Sequence, residues 1–97
     1  MHTMVIERVD LGIVAGRELD FEVAMQRGGV LLKAAAGCSA VTLSRCVERP
    51  TRYMLQITWL AIADHEAFTK TAAMQEFRSI LGPFMGEKPA MEHFQPV

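Results

Sequence analysis

The chain has 97 residues, enough for one domain around one core, with 51% hydrophobic and 22% charged residues, a balance that excludes intrinsic disorder. Net charge is −1 with Lys and Arg spread along the chain, which argues against nucleic acid and anionic membrane as partners. No apolar run nears the ~20 residues that span a bilayer, and Met1-His2-Thr3-Met4 lacks the basic-then-apolar pattern of a secretion signal, so a cytoplasmic protein is expected.

Met4 to Leu11 alternates, with Val5, Glu7, Val9 and Leu11 on one face and Met4 and Ile6 on the other; this is a first strand ending near Gly12. Arg17 to Ala36 reads as a helix, because Phe21, Met25, Gly28, Leu32 and Ala35 recur at helical steps. Glu18, Asp20 and Glu22 suit its positive end, and Gly37 is placed to stop it. Gly28-Gly29 inside this helix costs about 1 kcal/mol per glycine relative to alanine, so something should pack closely against the backbone there.

Ser39 to Val47 is a second strand, with Val41, Leu43 and Val47 on one face. Glu48-Arg49-Pro50-Thr51 forms a turn. Arg52 to Ile62 is a third strand, with Tyr53, Leu55, Ile57 and Trp59 on one face and Met54, Gln56, Thr58 and Leu60 on the other. Asp64 caps a short helix from Ala63 to Phe68. A further helical stretch, Ala72 to Leu81, carries Met74, Phe77 and Leu81 on one stripe and ends at Gly82-Pro83. Lys88 to Gln95 can form a last strand. Cys38 and Cys46, if on one strand, lie roughly 26 Å apart at ~3.3 Å per residue, beyond disulfide reach.

The order is strand, helix, strand, strand, helix, strand. That is the ferredoxin-like β-α-β-β-α-β pattern, an α+β fold with an antiparallel sheet and helices on one face. One domain spans residues 1–97. A chain this short buries only roughly 60–65% of its unfolded surface, and both faces of the third strand carry large apolar groups. A homodimer formed sheet to sheet is therefore expected.

Further signals follow in order: Gly37; Leu43, Arg45 and Glu48 with Arg49-Pro50; Tyr53-x-Leu55-x-x-x-Trp59; His65, Phe68, Phe77 and Arg78; Leu81-Gly82-Pro83-Phe84; Glu92-His93-Phe94. Together they resemble the antibiotic-biosynthesis monooxygenase family of dimeric α+β barrels over nearly the whole chain. The resemblance implies a pocket between sheet and helices that takes a small aromatic or apolar molecule. Some members of that family oxidise polycyclic anthrones or quinols with O₂ and need no metal or flavin; others degrade haem. The haem-degrading branch uses an Asn, a Trp and a His where this chain has Glu7, Thr71 and Leu81. Quinol-type members often show A-F-x-x-H-x-x-S-x-H-F, where this chain has Thr71 and Glu76 in place of the histidines.

The candidate site residues follow from chemistry. Trp59 is either a core anchor or a stacking wall for an aromatic substrate. Tyr53, on the same face, is a core or interface tyrosine or orients a substrate phenol. His65 reads as an exposed first-turn histidine that could reach a ligand. His93 is a lone candidate general base, since the adjacent Glu92 faces the other way. Glu7 and Arg45 sit in apolar patterns where a charge needs a partner; they either form a salt bridge, with each other or across the dimer, or line a pocket where the carboxylate accepts a phenolic proton. Phe68, Phe77 and Phe84 supply apolar lining. No histidine or cysteine pair has metal-site spacing, and no cofactor is expected. A cofactor-independent monooxygenase acting on a polycyclic phenol, anthrone or quinol is the expectation. A non-catalytic ligand-binding or regulatory dimer, or an isomerase or another reaction on the same barrel, stands beside it.

Overall fold

Strand alternation sends every second side chain to the same side, and one side of this sheet is apolar enough to demand cover. The computed structural model describes residues 4–97. The chain forms β1 (Val5–Gly12), α1 (Glu18–Lys33), β2 (Cys38–Arg45), β3 (Arg52–Trp59), α2 (Ile62–Phe68), α3 (Ala72–Leu81) and β4 (Ala90–Phe94), with a 3-10 turn at Gly82–Phe84. Residues 1–3, read above for a secretion signal, lie outside that description.

The four strands pair antiparallel in the order β2-β3-β1-β4, and the fold is the expected ferredoxin-like α+β. Val5, Glu7 and Leu11 of β1 are buried, as are Tyr53, Leu55, Ile57 and Trp59 of β3. Register opposes Val5 to Trp59, Glu7 to Ile57 and Leu11 to Tyr53. On the other side of β1, β4 sets His93 opposite Glu7 and Met91 opposite Val9.

The helices lie on that apolar face. Phe21, Ala24, Met25, Gly28 and Leu32 form the buried stripe of α1, and each large side chain so buried contributes roughly 1.5–3 kcal/mol. The glycine pair is explained at Gly28: a Cβ there would stand 3.1 Å from the Phe77 ring of α3, so the missing side chain lets the two helices approach. Gly29 has no such neighbour.

Several local expectations are corrected. Helix α1 closes at Ala34 rather than Ala36, and Gly37 serves the following turn with φ +83, a conformation that side-chain-bearing residues avoid. Strand β2 stops at Arg45; Val47 lies beyond it, 88% exposed. Strand β3 stops at Trp59, and Ile62 already belongs to α2. The residue at the start of α2 is Ala61, with no side-chain cap, so Asp64 sits inside the first turn, where its charge faces the positive helix end. A hydroxyl cap does occur one helix later: Thr71 Oγ1 accepts the Met74 N–H of α3 at 3.2 Å. No helix among the described residues is long and apolar enough to cross a membrane.

Candidate functional site

Between the sheet and α2–α3 lies a cavity of about 610 Å³, within the size range of small-molecule sites. Its walls are mostly apolar: Val9, Leu55 and Ile57 from the sheet, Phe68 from α2, Met74 and Phe77 from α3. Thr69, Arg78 and Lys88 also border it, and Glu7, Trp59 and His65 meet at one end of it.

Each arrives there for a local reason. Glu7 is in the inward phase of β1, so strand alternation carries a carboxylate into an otherwise apolar row. Trp59 is the last residue of β3, on the same face and fully enclosed. It donates its indole N–H to Glu7 Oε1 at 3.0 Å. His65 is one turn into α2 and stacks on Trp59, with centroids 5.4 Å apart and planes 16° apart. Its Nε2 lies 3.3 Å from the same Glu7 oxygen. Both contacts fall on Oε1, so Oε2 is the oxygen left for a ligand.

The ring of His65 is engaged on both sides. Its Nδ1 lies 2.7 Å from Nε2 of His93, on the edge strand β4. With Glu7 a carboxylate, Nε2 of His65 must carry the proton and donate it, and Nδ1 must accept from the Nε2–H of His93. Burial holds the His65 imidazole below its usual pKa; the Glu7 charge opposes that and His93 adds to it. The ring is therefore neutral at neutral pH, consistent with that tautomer.

Of the sequence candidates, Glu7, Trp59, His65, Phe68 and Phe77 line the cavity together, with His93 behind His65. The expected exposed His65 is overturned: it is only 6% exposed, because α2 begins earlier than its apparent cap and turns the ring onto Trp59. The lone His93 is likewise paired. A Glu7–Arg45 bridge does not form, since β3 lies between their strands. Arg45 instead reaches α1, with guanidinium nitrogens 3.7 Å from Glu18 and 3.5 Å from Glu22.

Tyr53, Arg45 and Phe84 gather away from the cavity, around Phe21. Tyr53 packs edge-on to Phe21 with centroids 4.8 Å apart, lies under Arg45 and donates its hydroxyl to Glu22. Burial, and then that bond, push its pKa up to about 12, so it stays a donor at neutral pH. Phe84 packs on Phe21 and beneath Arg17. Arg78 and Lys88, by contrast, were not chosen as site residues from sequence yet line the cavity. Among the described residues no three His, Cys, Asp or Glu side chains are grouped to hold a metal ion.

This ferredoxin-like fold recurs in known proteins. A structure from Bordetella bronchiseptica, named as a candidate antibiotic biosynthesis monooxygenase, superposes with a TM-score of 0.93 at 34% identity, covering 98% of each chain. The uncharacterised Bacillus subtilis protein YczJ is 34% identical over 97% of this chain and 100% of its own length. The cofactor-independent oxygenase SnoaB of Streptomyces nogalater has the same fold, with a TM-score of 0.87 at 14% identity, covering 98% of this chain and 94% of its own. The sequence profile of the antibiotic biosynthesis monooxygenases matches residues 4–79, which contain β1 to β3, α2 and most of α3. The chain belongs to the antibiotic biosynthesis monooxygenase family.

Proposed function

We propose that the protein is a cofactor-independent monooxygenase that oxidises a polycyclic phenol, anthrone or quinol with O₂. The observation that carries this reading is the buried Glu7 carboxylate, held on Oε1 by Trp59 and His65, in a cavity walled mostly by apolar and aromatic groups. A base in such a place is suited to take a proton from an acidic, electron-rich ring.

For an anthrone the steps balance without any further reagent. Glu7 Oε2 takes the acidic ring proton, leaving a delocalised carbanion. The carbanion passes one electron to O₂, and the resulting radical and superoxide combine to form a C–O bond. Glu7 returns its proton to the peroxide. Loss of the remaining hydrogen on that carbon, as a proton to Glu7, expels hydroxide as the O–O bond breaks, and the proton completes water. One oxygen atom ends in the new carbonyl and one in water.

Within this scheme Glu7 is the catalytic residue, and Trp59 fixes the carboxylate. His65 positions Glu7, and His93 positions His65 by setting its tautomer. Phe68 and Phe77 face the substrate rings. Tyr53, Arg45 and Phe84 support the other side of the sheet–helix interface. The sheet face opposite the helices, carrying Ile6, Met54 and Phe94, is the surface on which this reading places a second copy. Light scattering should then give twice the 10.8 kDa chain mass, and a monomer at micromolar concentration would remove that part of it. The reaction class is tested with ¹⁸O₂: one labelled atom should enter the quinone product, and an unlabelled product would refute a monooxygenase.

A further inference from the structure

The charge at the far end of the cavity has no counterpart in the scheme above. Strand β4 runs antiparallel to β1 with His93 opposite Glu7 and Ala90 opposite Asp10. Lys88 precedes Ala90, so it lies beyond the Asp10 end of β1, with at most roughly 17 Å of chain separating it from His93 at ~3.4 Å per residue. Arg78 sits in the last turn of α3. That helix runs on through Gly82–Phe84, where Phe84 C=O accepts the Val14 N–H at 2.9 Å and Met85 bridges Ile13. Both cations therefore belong to the end of the cavity away from Glu7.

Their neighbours in the lining there are apolar: Leu11, Leu81, Met85 and Pro89. Glu87, next to Lys88, binds Arg52 at 2.7 Å, and Asp10, at that end of β1, binds Arg8 at 3.2 Å. Among the described residues, Arg78 and Lys88 have no ion-pair partner. Two cations from separate elements thus border an apolar cavity whose opposite end holds a carboxylate.

We propose that Arg78 and Lys88 form an anion subsite, and that the ligand is a flat multi-ring aromatic carrying a carboxylate remote from the ring that meets Glu7. This deepens the reading above and rests on it for the identity of the cavity as the aromatic site. The pattern also fixes orientation. A carboxylate directed toward Glu7 would meet a like charge in a poorly solvated place, whereas at the other end it meets two cations, one of them a planar guanidinium suited to bidentate binding.

Trp59 is the only tryptophan in the chain and lines the cavity, so its fluorescence reports occupancy without turnover. The experiment titrates the whole protein with anthraquinone-2-carboxylate and with its neutral carboxamide. The carboxylate should bind roughly tenfold more tightly, as two partly solvated ion pairs allow. That preference should shrink with added salt. It should disappear in the Arg78→Met, Lys88→Met double variant, while the affinity for the carboxamide is kept and shows the cavity intact. Equal affinity for both ligands, or a preference that survives the double variant, overturns the subsite and leaves the aromatic cavity standing. If neither ligand quenches Trp59, the aromatic reading of the cavity fails and the subsite falls with it.

Discussion

Replacing Trp59 with phenylalanine separates the two jobs its indole performs. Trp59 is fully buried, and its N–H is the donor to Glu7 Oε1 at 3.0 Å. A hydrogen bond to a charged group contributes about 1.5–3 kcal/mol. The smaller ring also leaves a void of roughly 40 Å³, adding about 1 kcal/mol at ~24 cal/mol per Å³. Trp59→Phe should therefore cost about 2.5–4 kcal/mol. At the ~4–8 °C per kcal/mol typical of a domain of this size, the melting temperature falls by at least ~10 °C. Circular dichroism melts of wild type, Trp59→Phe, Glu7→Leu and the double variant isolate the bond. Coupling of about 1.5–3 kcal/mol between the two positions is expected. Additive losses, within the ~0.5 kcal/mol seen for independent sites, would refute the claim that Trp59 holds the carboxylate.

Acid should weaken the fold through His65. Its folded pKa is lowered by burial from 6.5, so below that value the unfolded chain binds the extra proton first. Stability is fully present above pH 6.5 and is lost as pH falls through the window down to the folded pKa; His65→Gln should flatten that limb in denaturant titrations. Tyr53 acts at the other extreme: with its pKa raised from 10.0 to about 12, stability should decline as pH rises across that interval. Tyr53→Phe should remove the decline, cost about 1 kcal/mol at neutral pH and leave ligand binding in the cavity unchanged. Gly29→Ala should stabilise α1 by up to ~1 kcal/mol, since nothing stands within 4 Å of the new Cβ. Gly28→Ala must push on the Phe77 ring and should gain less or lose stability, and equal gains at both sites would contradict the close approach at Gly28.

The inward row of β1 and that of β3 were legible because a period of two is a local property. Val5, Glu7, Val9 and Leu11 share a face in the sequence and in the fold, and so do Tyr53 and Trp59. A charged residue in an apolar row marked Glu7 as needing a partner, yet its partners are set by phase and register, which local pattern does not carry. Asp64 looks like a cap, a position that would leave His65 in solvent. Helix α2 starts at Ile62, and that shift in phase turns the imidazole from solvent to Trp59. The His65–His93 contact depends on β4 joining the edge of β1, a pairing across most of the chain. The ferredoxin-like order, taken with the spacing of Met91 and His93 opposite Val9 and Glu7, was the signal that could have found it. Arg45 had a legible alternative in Glu18 and Glu22, which stand four apart on α1, but only the packing of α1 over β2 and β3 brings them within reach. Tyr53 shares the strand face of Trp59 and still falls outside the cavity, because Phe21 of α1 covers that end of β3.

The central claim is that Glu7 removes the proton that makes the substrate reactive toward O₂. Oxygen uptake should be measured with a panel of hydroxylated anthrones and quinols for wild type and Glu7→Gln, with matched ligand binding by both. Wild type should consume oxygen, and the amide, nearly isosteric but unable to accept the proton, should lower turnover by roughly 10²–10⁴-fold. Oxygen uptake that is unchanged in Glu7→Gln, or absent in wild type across the panel, would contradict the account.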